Sequence, residues 1–270
     1  MYEDFTLDFF PSEVSMKIGA QLFTLREFCK TLDALGETLC RVADMGYTSV
    51  QVSGTCPYTP EELLPLLKKA GVTCDLTHYN PTRVAEDTEA VIDEHKRMGC
   101  SAIGLGSMPG LFTPDANLEK VVVDFVDTYT RPSQKIAEAG LHFMYHNHDK
   151  EYLHTINGMS VMAYLAEQFP AKQLGFTLDL YWVQKGGMDP IAEIKRLHNR
   201  LHCVHLKDME AGTQHFAPVG SGIQNYPAML AALEDAGTAF AFVEQDNCYG
   251  QDPFACLKQS YDYLKSLGLS

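Results

Sequence analysis

Eight short apolar runs recur along the chain, at 18–23, 49–52, 73–77, 102–105, 142–145, 174–178, 203–206 and 239–243, and no other feature restricts the fold so strongly. Between them lie longer stretches with apolar residues at three- and four-residue spacing, such as Leu35, Leu39 and Val42. That spacing is the period of a helix burying one face. Strands alternating with helices build a parallel sheet, and eight such strands close into a barrel. The 270 residues match the roughly 250 that a (β/α)8 barrel needs. The expected fold is therefore α/β: a single (β/α)8 TIM barrel over 17–270, preceded by a short N-terminal extension over 1–16.

The punctuation agrees with this repeat. Gly46, Gly71, Gly99, Gly140 and Gly237 each stand between a helical stretch and the next apolar run. Glycine there can take the left-handed conformation that ends a helix and returns the chain to the sheet. Pro60, Pro190, Pro227 and Pro253 fall near helix starts, where the missing N–H costs nothing. No Gly/Ser-rich linker divides the chain, so one domain is expected.

Composition narrows the partners. With 21 Lys and Arg against 35 Asp and Glu the net charge is −14, which opposes approach to a polyphosphate backbone. Nucleic acid is not an expected partner. The eight cysteines contain no C-x-x-C pair and read as reduced, mostly buried thiols. The first residues lack a basic segment, and no apolar stretch is long enough to span a bilayer, so a cytoplasmic protein without membrane association is expected. A homo-oligomer is left open.

In such a barrel the chemistry sits at the C-terminal ends of the strands. Those ends carry Gln21, Gln51, His78, the His146-Asn147-His148 segment, Asp179, His205 with Lys207, and Glu244 with Gln245. A carboxylate closing an apolar strand can simply cap the next helix, and a histidine within one can be a satisfied core residue. Four consecutive strand ends that each supply a liganding residue type, His, Asp, His and Glu, outweigh both alternatives. Two imidazoles and two carboxylates make a mixed N/O set, which suits Mn2+, Zn2+, Co2+ or Fe2+ better than Mg2+ or Ca2+. Strand alternation points His146 and His148 to one face, so either could be the ligand. The glycine-bearing segment 218–222 reads as a tight loop over a substrate, and neither a P-loop nor a G-x-S-x-G elbow is present.

The motifs VQVSG (50–54), YHNHDKE (145–151), LDLYW (178–182), HLKD (205–208), PVGSG (218–222) and VEQD (243–246) together resemble the sugar phosphate isomerase/epimerase group of the xylose-isomerase-like barrels. The likeness runs from about residue 17 to the end. It implies one divalent metal ion, Mn2+ foremost, held by Asp179, His205, Glu244 and a residue after the fifth strand. Counted from Gly140, that fifth-strand position falls on His146, where the ketose 3-epimerases carry Glu. The HNH segment is more similar to the inosose dehydratase branch and to enzymes that eliminate an aglycone from 3-keto-glycosides. The implied reaction removes a proton next to the carbonyl of a keto-sugar or keto-cyclitol and passes through a metal-stabilised enediolate. His148 or Glu151 would be the base and Lys207 would stabilise oxyanion charge, while Gln21, Gln51, His78, Trp182 and Gln245 would contact substrate. Two competing classes are a non-catalytic metal- or sugar-binding barrel, such as an accessory subunit, and the apurinic-site endonuclease branch, which the acidic charge opposes.

Overall fold

A computed structural model describes residues 16–269. The expected N-terminal extension therefore lies outside the described residues apart from Met16, which is buried in the core.

Eight parallel strands close the barrel: β1 Lys17–Gln21, β2 Ser49–Val52, β3 Thr73–His78, β4 Ala102–Leu105, β5 His142–His146, β6 Gly175–Asp179, β7 Cys203–Leu206 and β8 Phe240–Val243. Each pairs with its neighbours in sequence, and β8 returns to β1. The five glycines read as helix stops all have positive φ, from 68° at Gly99 to 109° at Gly46. Pro60, Pro190 and Pro253 are the first residues of their helices, and Pro227 is the second residue of its own.

The first strand is shorter than its apolar run suggested. Gln21 ends it because its side-chain oxygen accepts from Phe23 N at 3.2 Å, satisfying a donor that a helix start would leave free. Leu22–Phe28 then forms a 3-10 helix. Phe23 accordingly sits in that helix, beneath the Arg26 guanidinium at 4.3 Å.

Period-two alternation divides the barrel interior into levels. The lower level is an apolar plug of Leu76, Ala102, Met144, Cys203 and Phe242. Small residues make room for it. A Cβ on Gly19 would meet the Phe242 ring at 2.5 Å, and one on Gly175 would meet Met144 Sδ at 2.8 Å. Two residues beyond Gly19, Leu76, Met144, Cys203 and Phe242 the inward side chains turn polar, as Gln21, His78, His146, His205 and Glu244, and Gln51 and Asp179 join that level from β2 and the end of β6. The plug thus supplies a dry, rigid floor beneath them.

Candidate metal centre and active site

His146 from β5, Asp179 from β6, His205 from β7 and Glu244 just past β8 converge at the mouth of the barrel. One liganding atom from each lies within 4.8 Å of all the others, and all four residues are buried.

The two imidazoles are oriented from behind. His146 Nδ1 donates to the Gly106 carbonyl at 3.0 Å, and His205 Nε2 donates to Gln51 Oε1 at 2.6 Å. A ring that ligates a metal is neutral and has one proton to give, so in that form the inner nitrogens, His146 Nε2 and His205 Nδ1, present lone pairs. They face carboxylate oxygens: His146 Nε2 is 3.3 Å from Asp179 Oδ2, and His205 Nδ1 is 3.0 Å from Glu244 Oε2 and 3.6 Å from Asp179 Oδ2. Lone pairs facing lone pairs repel unless a cation lies between them. His205 Nδ1 lacks a hydrogen-bond partner, and apart from that imidazole Glu244 Oε2 is met by the Lys207 ammonium at 2.9 Å. Outward N–H groups anchored on acceptors, with inner nitrogens left free, are the usual support for metal-liganding histidines. These residues fit a divalent ion bound by two nitrogens and two oxygens.

Asp179 serves two purposes with its two oxygens. Oδ1 accepts from Trp182 N at 3.0 Å and caps the helix Leu180–Lys185, while Oδ2 faces the cluster. The side-chain amide of Asn147 holds its backbone, with Oδ1 accepting from Asp179 N at 2.9 Å and Nδ2 donating to Asp179 O at 3.3 Å. Asn147 points opposite to the two histidines and extends the β5–β6 pairing beyond the strand ends. Sequence reasoning gave it no role, although a short amide between two inward histidines was the available signal.

Lys207 lies deeper than an oxyanion-stabilising role suggested. Its Nζ is 2.9 Å from each of Asp179 Oδ2, Glu244 Oε2 and Asp246 Oδ2. Burial would raise Asp179 and Glu244, but Lys207 and the imidazoles override it and hold both well below the ordinary carboxylate range. Burial opposes charge on Lys207 too, and the three carboxylates keep it well above the usual lysine value. Asp246 was not among the expected site residues; burial pushes it up to about 6. Continuing the inward alternation two residues past Glu244 would have found it.

His148 continues the inward face of β5. The strand ends at His146, so the two rings are closer than an extended strand would place them, with centroids 4.7 Å apart. Phe112 and Trp182 flank the His148 ring at 4.8 and 5.4 Å. Burial, then the neighbouring His146 and Lys207, lower His148 to about 2, which keeps it unprotonated at neutral pH. Glu151 sits behind it and is fully buried. Its oxygens accept from Tyr145 OH at 2.6 Å and from His148 N at 3.0 Å, and burial pushes it up to about 7.

The expected substrate contacts fall in different places. His78 lies beside the cluster, its ring 5.3 Å from His146 and 5.7 Å from His205, with Nδ1 on Ser53 Oγ at 3.2 Å and Nε2 unpartnered. Gln21 Nε2, Trp182 Nε1 and Gln245 Oε1 are also buried without partners. Gln51 stands behind His205, as described, with only its Nε2 free. The 218–222 loop is tied to Asp208, whose Oδ2 accepts from Gly220 N and Gly222 N, both at 2.9 Å. A groove of about 850 Å³ lies at the opposite end of the barrel beside His142 and His202, and none of these residues lines it.

The matching family model is described as a xylose isomerase-like TIM barrel and covers residues 39–267. The chain belongs to that family. Among curated proteins none matches the sequence significantly. A sugar phosphate isomerase/epimerase from Parabacteroides distasonis superposes with a TM-score of 0.77 at 21% identity, over 93% of this chain and 94% of that one. An L-ribulose 3-epimerase superposes at 0.71 with 13% identity, over 93% and 94%. A probable 3-DHS dehydratase from Bacillus anthracis superposes at 0.66 with 14% identity, over 93% and 99%. At these identities the likeness establishes the barrel. No described helix is long and apolar enough to cross a membrane.

Proposed function

We propose that the protein is a divalent-metal-dependent enzyme of the isomerase/epimerase or carbon-oxygen lyase type, acting on a keto-sugar or keto-cyclitol by removing the proton next to its carbonyl. The observation that carries this reading is the set of four buried side chains from consecutive strands whose ligand-type nitrogens and oxygens converge on one point, with His205 Nδ1 left without a hydrogen-bond partner. His146, Asp179, His205 and Glu244 would hold the ion, with Mn2+ as the working metal and Zn2+, Co2+ and Fe2+ accepted by the same donors. When bound, such an ion supplies Lewis-acid polarisation to a carbonyl.

The remaining steps belong to the chain. His148 stands on the inward face one alternation beyond His146, with its buried Nδ1 free of a hydrogen-bond partner, and takes the substrate proton on its imidazole. Glu151 acts through His148, fixing its backbone N–H, and is a positioning residue. The free amide groups of Gln21 and Gln51, Trp182 Nε1, His78 Nε2 and Gln245 Oε1 offer hydrogen bonds to a polyhydroxylated substrate, and Trp182 a face for its ring. Whether the proton returns or a neighbouring hydroxyl or aglycone departs separates the epimerase from the lyase; the HNH segment favours the lyase side, the inosose dehydratase-like branch.

The test is metal analysis followed by a screen of keto-sugars and keto-inositols in D2O. Metal at one ion per chain with deuterium entering next to the carbonyl is the expected result. Metal and sugar binding without exchange would instead identify a non-catalytic barrel.

A further inference from the structure

Lys207 is the least expected feature of the site. An ammonium 1% exposed sits among three carboxylates, and two of the oxygens it contacts, Asp179 Oδ2 and Glu244 Oε2, also face the inner nitrogens of the two histidines. A divalent ion held by the four-residue cluster would draw on those same two oxygens. The third, Asp246 Oδ2, belongs to a residue outside the cluster. The aromatic rings of Trp182 and Phe216 lie 5.6 and 5.5 Å from the ammonium, which close its other side with faces that favour a cation.

We propose that Lys207 is a resident cation of this site, and the proposal rests on the metal reading above. It holds Asp179 and Glu244 in place before a divalent ion arrives, competes with that ion for their oxygens, and is retained by Asp246 once the ion has taken them. Two buried carboxylates with a third, half-buried, beside them cannot stay together unneutralised, so a chain that folds before metal arrives needs a cation of its own. The consequence is a preformed site whose metal binds more weakly and exchanges more readily than the four ligands alone would dictate. A unit charge next to the ligand oxygens opposes a divalent ion twice as strongly as a monovalent one, and the penalty at this range is on the order of tenfold in affinity or more.

The experiment uses the full chain stripped with a chelator and titrated with Mn2+ and with Zn2+ by calorimetry, alongside thermal unfolding. Lys207→Met keeps the length and removes the charge. It should bind metal at least about tenfold more tightly, melt at a lower temperature without metal, and gain more on metal addition than the wild type. Asp246→Asn should bind several-fold more weakly, because the ammonium then leans fully on the two ligand carboxylates. In the Lys207→Met background Asp246→Asn should lose more than half of its effect, since Asp246 acts through the lysine. A wild-type chain that binds neither metal overturns the metal reading itself. A wild type that binds, with Lys207→Met unchanged or weaker, overturns the resident-cation role and leaves the metal reading standing. If Lys207→Met does not fold, Asp246→Asn decides: weaker binding supports the role, and unchanged or tighter binding overturns it.

Discussion

Asp179 and Asp208 are fully buried aspartates at the C-terminal ends of neighbouring strands, and their surroundings differ in kind. Asp208 is met entirely by backbone. Oδ1 accepts from Met209 N at 2.8 Å and Gln224 N at 3.2 Å, and Oδ2 accepts from Gly220 N and Gly222 N at 2.9 Å. Asp179 spends one oxygen on a helix cap and turns the other toward two imidazoles and an ammonium. A buried carboxylate saturated by N–H groups is a finished structural element that holds a loop. One facing imidazole nitrogens and an ammonium has free energy left to gain from a ligand. The difference separates scaffold from site within a stretch of two strands.

The strongest way to break that contrast is to neutralise each aspartate in turn. Asp179→Asn keeps an oxygen for the Trp182 cap and removes the charge facing the cluster. It should fold, yet lose metal affinity by well over about 100-fold, more than the loss of a residue that merely supports a ligand. Metal titration of the purified variant checks this, and wild-type affinity would return Asp179 to the role of a simple helix cap.

Asp208→Asn should do the reverse. An amide has one acceptor oxygen and puts an NH2 group against backbone donors, so at least two of the four hydrogen bonds are lost. The cost is about 3 kcal/mol, read as a lower urea midpoint, with metal affinity changed little. Gly222 belongs to the same arrangement, because any Cβ there would collide with the Asp208 carboxyl group and the Met209 carbonyl. A normal urea midpoint for Asp208→Asn would show that the loop holds without its carboxylate.

The contrast was half legible in the sequence. Apolar runs and helix-stopping glycines are local signals, so β2, β4 and β7 have the expected bounds and the other strands differ by one or two residues. The four cluster residues were legible because each follows an apolar strand at its inward register. The same alternation carried two residues further would have reached Asp246, as it did Lys207 and His148. Asn147 and Asp208 were harder. Their parts depend on which backbone N–H groups approach from other segments, and those contacts, spanning 32 residues from Asn147 to Asp179 and 12 to 16 from Asp208 to its loop, leave no periodic trace.

Glu151 sharpens the comparison through pH. It resembles Asp208 in being buried and hydrogen-bonded, but it has only two donors, and burial raises it from the ordinary 4.5 to about 7. The folded chain therefore holds this proton more tightly than the unfolded one. Its contribution is fully present below about pH 4.5 and is lost as pH rises through about 7. Wild-type stability should fall over that window by an amount on the order of 2–3 kcal/mol, and Glu151→Gln should flatten that part of the profile. Urea midpoints of both proteins between pH 5 and pH 8 test it; parallel profiles would mean that Glu151 is ionised throughout.

The smallest expected effect concerns Gln51, which stands behind the cluster and lends its oxygen to His205 Nε2 at 2.6 Å. Without that acceptor the ring is free to move its proton to Nδ1, the atom that faces Glu244, and the ring loses the orientation that presents its lone pair. Gln51→Met keeps the volume and removes the acceptor, so the fold and the other three ligands should be undisturbed. Metal affinity should fall by about tenfold, the lower end of the range for residues that orient a liganding histidine. Gln51→Glu should restore it, because a carboxylate accepts the same proton and does so more strongly. A loss in Gln51→Met that Gln51→Glu fails to recover would mean that the free Nε2 of Gln51, rather than its oxygen, is what the site uses, and the hold on His205 would not be its part.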